Sequence, residues 1–278
     1  MRKPDFIIIG AQKSGTTWLV NRLNGHPAIF MPTREIHYFD VDRNFNKGPD
    51  WYYEHFSRAQ DDQICGEKTP DYLWVNRPEG QGPGDIAKRM QNCVPDTKLI
   101  AILRNPVERA ISAYNHFVRG GSISPLTDPD TYFLAKDGGL DTQSKLLLGG
   151  LYHEQLAVYS NLFSQNALKV VFFEDDIENR PDDTITDILK FLGQDTQVTI
   201  DLPKRPENKR MNSRFSLWLN YRLPAFHHFT SALDRLLPVS PQIRPSQSVI
   251  DAMYAHFKPF NEQLFELLGR RTEAWAPD

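Results

Sequence analysis

Apolar residues follow two rhythms along this chain. Phe6-Ile7-Ile8-Ile9, Leu99-Ile100-Ala101-Ile102-Leu103 and Val170-Val171-Phe172-Phe173 are unbroken runs of β-forming residues, and Ile64 to Glu67 is a shorter candidate. Runs without polar alternation suit strands that are buried on both faces. Elsewhere the period is helical. Thr17 to Leu23 offers Trp18, Leu19 and Leu23 for packing, and Val107, Ala110, Ile111, Tyr114 and Val118 share one face of a second helix. Asn105-Pro106 opens that second helix, with asparagine as N-cap and proline at the first helical position. Further helical patterns occur around 51–58, 84–92, 151–163, 182–192, 214–222 and 247–268. Strands alternating with helices predict an α/β fold, a parallel β-sheet flanked by helices on both faces. A chain of 278 residues is read as a single domain, 1–278. The stretch 120–141, rich in Gly, Pro, Ser and Asp, reads as a lid or insertion rather than a linker, because helix and strand patterns resume after it.

Composition narrows the class. With 40% hydrophobic and 24% charged residues the chain has the make-up of a soluble globular protein. A net charge of −3 attracts no nucleic acid, so any anionic ligand must be held by local clusters of Lys and Arg. Cys65 and Cys93 have no metal-site spacing and fit a reducing compartment. The first apolar segment, about four residues long, is far too short for a signal peptide or a membrane span. With Met1 as the natural start, the expected location is cytoplasmic. The pattern carries no signal of oligomeric state.

Gly10-Ala11-Gln12-Lys13-Ser14-Gly15-Thr16-Thr17 follows a strand and opens a helix. In that context backbone N–H groups and the helix dipole bind phosphate. The nucleoside triphosphate form of this loop needs Lys directly after the second glycine. Here that position is Thr16 and the lysine stands at Lys13. The strand 99–103 ends in Arg104 rather than in an acidic partner for Mg²⁺. Both departures argue against ATP hydrolysis. A sulfonyl group carries less negative charge than a terminal phosphoryl group, and lysine with backbone donors can manage its transfer without a metal.

These residues resemble the sulfotransferase family that uses 3′-phosphoadenosine-5′-phosphosulfate. The form K-[ST]-G-T-[TS] of the heparan-sulfate-type sulfotransferase domains and their bacterial relatives is similar to 13–17 without a gap, and the likeness extends over most of the chain. The resemblance implies that Lys13, Ser14, Gly15, Thr16 and Thr17 bind the 5′-phosphosulfate, with Lys13 stabilising charge on the leaving phosphate. It also implies that Arg104, and Ser112 eight residues later, bind the 3′-phosphate. A tyrosine that begins a helix near the cofactor corresponds to Tyr152, and the late basic loop over the donor's phosphates corresponds to Lys209, Arg210 and Asn212.

On the acceptor side, Arg34-Glu35-Ile36-His37-Tyr38-Phe39-Asp40 resembles the family segment K-E-P-H-F-F-D, with Ile36 in place of proline. Glu35 is thereby the general base, His37 the internal alternative as base, and Arg34, His37 and Asp40 contact or orient the acceptor. Glu67-Lys68-Thr69-Pro70-Asp71-Tyr72 resembles E-K-[ST]-P-x-Y, which makes Lys68 a second catalytic cation facing the acceptor. The expectation is in-line sulfonyl transfer to a hydroxyl or amine of a saccharide or small molecule. It requires no metal and leaves 3′-phosphoadenosine-5′-phosphate as product. The alternatives are a P-loop kinase for a nucleotide or small molecule and a binding module that has lost catalysis.

Overall fold

The apolar run near the amino terminus becomes the central strand of the sheet. In the computed structural model, which describes residues 2–74, 83–198, 214–222 and 241–277, β1 (Phe6–Gly10) is buried at every position. It is followed by β2 (Ile29–Phe30), β3 (Ile64–Lys68), β4 (Lys98–Leu103) and β5 (Leu168–Phe172), in the spatial order β2-β3-β1-β4-β5. All four pairings are parallel. The carboxyl ends of all five strands therefore lie along one edge, where open parallel sheets hold their ligands. The fold is the expected α/β class.

Helices cover both faces because successive strand residues point to opposite sides. Phe6, Ile8, Ile100, Ile102 and Val171 pack with Leu19 and Leu23 of α1 (Thr16–Leu23) and with Ile185, Ile188 and Leu189 of the helix Pro181–Leu192. Ile7, Ile9, Leu99, Ala101 and Phe172 pack with Met90 of the helix Pro83–Cys93, with Leu156 and Tyr159 of the helix Tyr152–Leu162, and with Leu264 of the helix Gln247–Leu268. Gly66 is required on β3: a Cβ there would stand 2.1 Å from Phe6 Cζ. Overpacking of that kind costs about 1–3 kcal/mol.

Several boundaries differ from the sequence pattern. The two-residue strand β2 is too short to show a period. β5 begins at Leu168 and ends at Phe172, and Phe173 instead starts a π-helical turn, Phe173–Glu178. The pattern around 51–58 yields a shorter helix, Pro49–Glu54.

By compactness the chain divides into two units, one of residues 1–105, 151–205 and 260–275 and one of residues 106–150, 206–259 and 276–278. The first contains the whole sheet. The second is built on the helix Pro106–Arg119, whose expected apolar face is buried. Asn115 ties it to Ile243 through two hydrogen bonds, from Nδ2 to Ile243 O at 2.7 Å and from Ile243 N to Oδ1 at 2.9 Å. The stretch expected to be a lid or insertion, 120–141, lies in this second unit. It carries a single 3₁₀ turn, Pro129–Tyr132, an isolated bridge between Leu134 and Leu140, and the buried ring of Phe133.

The core of the first unit buries a carboxyl group on the sheet itself. Glu67, on β3, is 1% exposed. It accepts hydrogen bonds from Tyr52 Oη at 2.5 Å, Thr69 Oγ1 at 3.1 Å and Tyr72 Oη at 3.3 Å. Burial pushes its carboxyl from 4.5 up to about 7, against the pull of these three hydroxyls. A raised pKa means that the folded chain keeps a proton which the unfolded chain has released. The resulting stability is complete below about pH 4.5 and is lost as pH rises through about 7. Glu67→Gln removes that component, so urea denaturation from about pH 5 to about pH 8 is expected to show wild-type stability falling relative to the variant. Parallel pH profiles would refute it.

Candidate active site

The loop after β1 is shaped by its backbone. Ala11 N–H donates to Ile102 O on β4 at 2.7 Å, and Ser14 N–H donates to Ala11 O at 3.2 Å. Lys13 (φ 69°) and Gly15 (φ 94°) both adopt left-handed conformations, and Gly15 is the N-cap of α1. Glycine is needed at 15 for a second reason: a Cβ would meet the Phe173 ring at 2.8 Å. Gly15 offers no side-chain cap, so the first-turn N–H groups of α1, which have no intrahelical acceptors, point toward the loop. Ser14 Oγ is fully buried and has no hydrogen-bond partner among the described residues. Arg104, directly beyond β4, places Nη1 3.4 Å from Lys13 O and its guanidinium carbon 5.0 Å from the Phe173 ring centre. Its Nε is also buried without a hydrogen-bond partner among the described residues. Orphaned polar atoms beside a helix amino terminus and an arginine fit the phosphates of an anionic ligand.

A second cluster gathers at the end of β3. Lys68 Nζ lies 2.6 Å from Glu35 Oε1, and His37 Nε2 lies 3.3 Å from Glu35 Oε2. On its other side His37 Nδ1 meets Asp40 Oδ2 at 2.9 Å. The hydrogen bond to His37 and the nearby Lys68 hold the Glu35 carboxyl down at about 2, although partial burial opposes them. Asp40 first, and Glu35 second, push His37 up to about 10, so its ring is protonated at neutral pH. The backbone of this segment is also fixed. His37 sits at φ 51° with its N–H 3.5 Å from Thr69 Oγ1, and Asn44 Nδ2 donates to His37 O at 3.0 Å. Tyr38 N–H donates to Tyr72 Oη at 3.0 Å. His37, Asp40 and Asp71 bring one ligand atom each within 4.8 Å of one another, a set that a cation could join.

Sequence reasoning thus singles out groups that the fold brings together: Glu35, His37, Asp40 and Lys68 in one cluster, Lys13 and Ser14 to Thr17 with Arg104 in the other, all in the first unit. Arg34 is exposed on the same segment as Glu35. Ser112 is half-buried on the helix Pro106–Arg119 of the second unit. Lys209, Arg210 and Asn212 lie outside the described residues. The aromatic residues beside these segments mostly serve the core: Tyr52, Tyr53 and Tyr72 are buried, while Trp51 and Trp74 are half-buried. Sequence reasoning misses Glu67 as the anchor of Thr69 and Tyr72, and Phe173 beneath the loop. The apolar run 170–173 reads Phe173 as a strand residue, and only the end of β5 at Phe172 puts it beneath the loop.

Comparison with known proteins identifies the family. The family described as sulfotransferase domain matches residues 3–216. Human heparan sulfate glucosamine 3-O-sulfotransferase 5 is 29% identical over 276 residues, covering 96% of this chain and 72% of the relative. Mouse heparan sulfate glucosamine 3-O-sulfotransferase 6 is also 29% identical, covering 97% and 73%. The crystal structure of a sulfotransferase from Alicyclobacillus acidocaldarius superposes with a TM-score of 0.71 at 25% identity, covering 99% of each chain. With a family match over most of its length, the chain belongs to the 3′-phosphoadenosine-5′-phosphosulfate-dependent sulfotransferase family.

Proposed function

We propose that this enzyme transfers a sulfonyl group from 3′-phosphoadenosine-5′-phosphosulfate to a saccharide hydroxyl, with Glu35 as general base. The observation that carries the proposal is the placement of the Glu35 carboxylate between Lys68 and His37. A histidine base is disfavoured because His37, held between two carboxylates, is already protonated at neutral pH and has no lone pair to offer. Glu35 is ionised throughout the working range. It takes the acceptor proton as the acceptor oxygen bonds to sulfur and the bond from sulfur to the phosphate oxygen breaks. Lys13 and Lys68 meet the charge left on that phosphate. The choice of a saccharide hydroxyl over an amine rests on the relatives, which are named as 3-O-sulfotransferases of heparan sulfate glucosamine.

The donor supplies the activated sulfonyl group. Its 5′-phosphosulfate is assigned to Lys13, Ser14, Gly15, Thr16 and Thr17, and its 3′-phosphate to Arg104, supported by the orphaned Ser14 Oγ and Arg104 Nε. For Ser112 the assignment rests on sequence spacing alone. No metal is assigned a role. A reducing, cytoplasmic setting is proposed from composition, and the free thiols of Cys65 and Cys93 are compatible with it. Among the described residues no helix is long and apolar enough to cross a membrane.

Two measurements test this reading. Glu35→Gln and Lys68→Ala are each expected to lower kcat by about two orders of magnitude, the usual size of an acid–base contribution, with nucleotide affinity nearly unchanged. Near-normal turnover in Glu35→Gln would remove Glu35 as base. In a thermal melt, 3′-phosphoadenosine-5′-phosphate at about 100 times its Kd should add roughly 2.7 kcal/mol of stability. That gain should persist in excess EDTA. A gain that EDTA abolishes would bring a cation into the donor site, and a response only to ATP with Mg²⁺ would favour a kinase.

A further inference from the structure

Arg104 stands beyond the last paired residue of β4, Leu103, and side chains hold the peptide unit that follows it. The carbonyl of that peptide, Arg104 O, accepts from Tyr152 Oη at 2.9 Å. Its N–H, from Asn105, donates to Glu174 Oε1 at 2.9 Å. The second oxygen of Glu174 accepts from the indole Nε1 of Trp275 at 2.9 Å. The Trp275 ring, 4% exposed, also lies 5.7 Å from the Tyr152 ring and 5.2 Å from that of Phe172. Next to Trp275, Ala274 O accepts from Asn105 Nδ2 at 3.3 Å. Trp275 therefore touches both side chains that grip the Arg104–Asn105 peptide, and the residue before it contacts the Asn105 side chain.

This matters because the Arg104 guanidinium itself is held only by one long hydrogen bond to Lys13 O, by the face of Phe173 and by the charge of the nearby Glu174 carboxylate. Where the backbone stands then decides where the guanidinium can reach, and recognition of a phosphate tolerates only about half an ångström of misplacement. We propose that Trp275 is a positioning residue for Arg104. Acting through Glu174 and Tyr152, it sets the affinity for the nucleotide end of the donor, so that a residue near the carboxyl terminus tunes a site assembled mostly from the first hundred residues. The inference rests on the proposed donor role of Arg104.

Trp275→Phe keeps an aromatic ring in the core and deletes the indole donor together with part of the ring volume that packs on Tyr152 and Phe172. Glu174→Gln keeps the volume, leaves one oxygen to serve two donors and removes the carboxylate's attraction for Arg104. Each is expected to weaken binding of 3′-phosphoadenosine-5′-phosphate, measured by titration calorimetry, about five- to tenfold, as suits the loss of one buried hydrogen bond. In an Arg104→Ala background Trp275→Phe should weaken binding no further, because the group it positions is gone. A purely structural tryptophan would lower the melting temperature and leave the affinity of the folded protein unchanged. If Trp275→Phe does not fold, Glu174→Gln carries the test. Unchanged affinity in these variants, alongside a loss in Arg104→Ala, overturns the inference alone. So does an additive loss in the double variant. Normal affinity in Arg104→Ala overturns the donor role of Arg104 and the inference with it.

Discussion

Glu67 is buried away from solvent, so hydroxyl groups must satisfy its oxygens, and the consequences of that requirement reach Glu35 and Lys68. Tyr52, Thr69 and Tyr72 donate to the carboxyl. Thr69 and Tyr72 each have acceptor capacity left, and they use it on two consecutive backbone N–H groups, those of His37 and Tyr38. The segment that carries Glu35 is thereby pinned to the end of the strand that carries Lys68. A buried donor left without a partner costs about 1–3 kcal/mol, so each link in this chain resists rearrangement. The left-handed conformation of His37, unfavourable for a residue with a Cβ, is held in place from both sides by Thr69 and Asn44.

The parallel sheet provides the second half of the arrangement. Because β1, β3 and β4 are neighbours and run the same way, the residues at or just beyond their carboxyl ends come to one edge, and these include Lys13, Lys68 and Arg104. A chain with a net charge of −3 thus concentrates cations locally without being basic overall. The cations differ in their surroundings. Lys68 is engaged by Glu35 at 2.6 Å, whereas Arg104 retains a buried Nε with no hydrogen-bond partner among the described residues.

Much of this is legible in the sequence where the signal is local. The strands of the sheet's centre announce themselves as apolar runs because both faces are covered, and β2 does not because two residues have no rhythm. Lys13, Glu35, His37, Lys68 and Arg104 are legible because each stands in a short segment whose order carries chemistry. Glu67 sits in one of those segments, but its burial depends on Tyr52, which reaches it from another element. Trp275 is less legible still. It meets Glu174 and Tyr152 only after the chain has folded, and nothing in the residues around it marks a site. The division into two units is likewise hidden, since the helix Gln247–Leu268 runs through Pro259 with no break in its pattern while its residues divide between them.

The charge states of the acceptor-side cluster bear on the timing of the proposed reaction. At rest Glu35 is held near 2 and His37 near 10, so the Glu35 carboxylate lies between two cations, Asp40 offsets the second of them, and the cluster carries little net charge. A carboxylate so stabilised is a weak base, and an entering acceptor must loosen its hold on His37 or Lys68 before it can take a proton. In the proposed reaction, a Glu35 that had taken that proton would no longer attract Lys68. The proton arrives as the bond from sulfur to the phosphate oxygen breaks, which is when negative charge appears on the leaving phosphate. Lys68 would thus lose its resting partner at the point in the reaction where a new anion needs one, and Glu35 would act both as base and as the group that releases a cation.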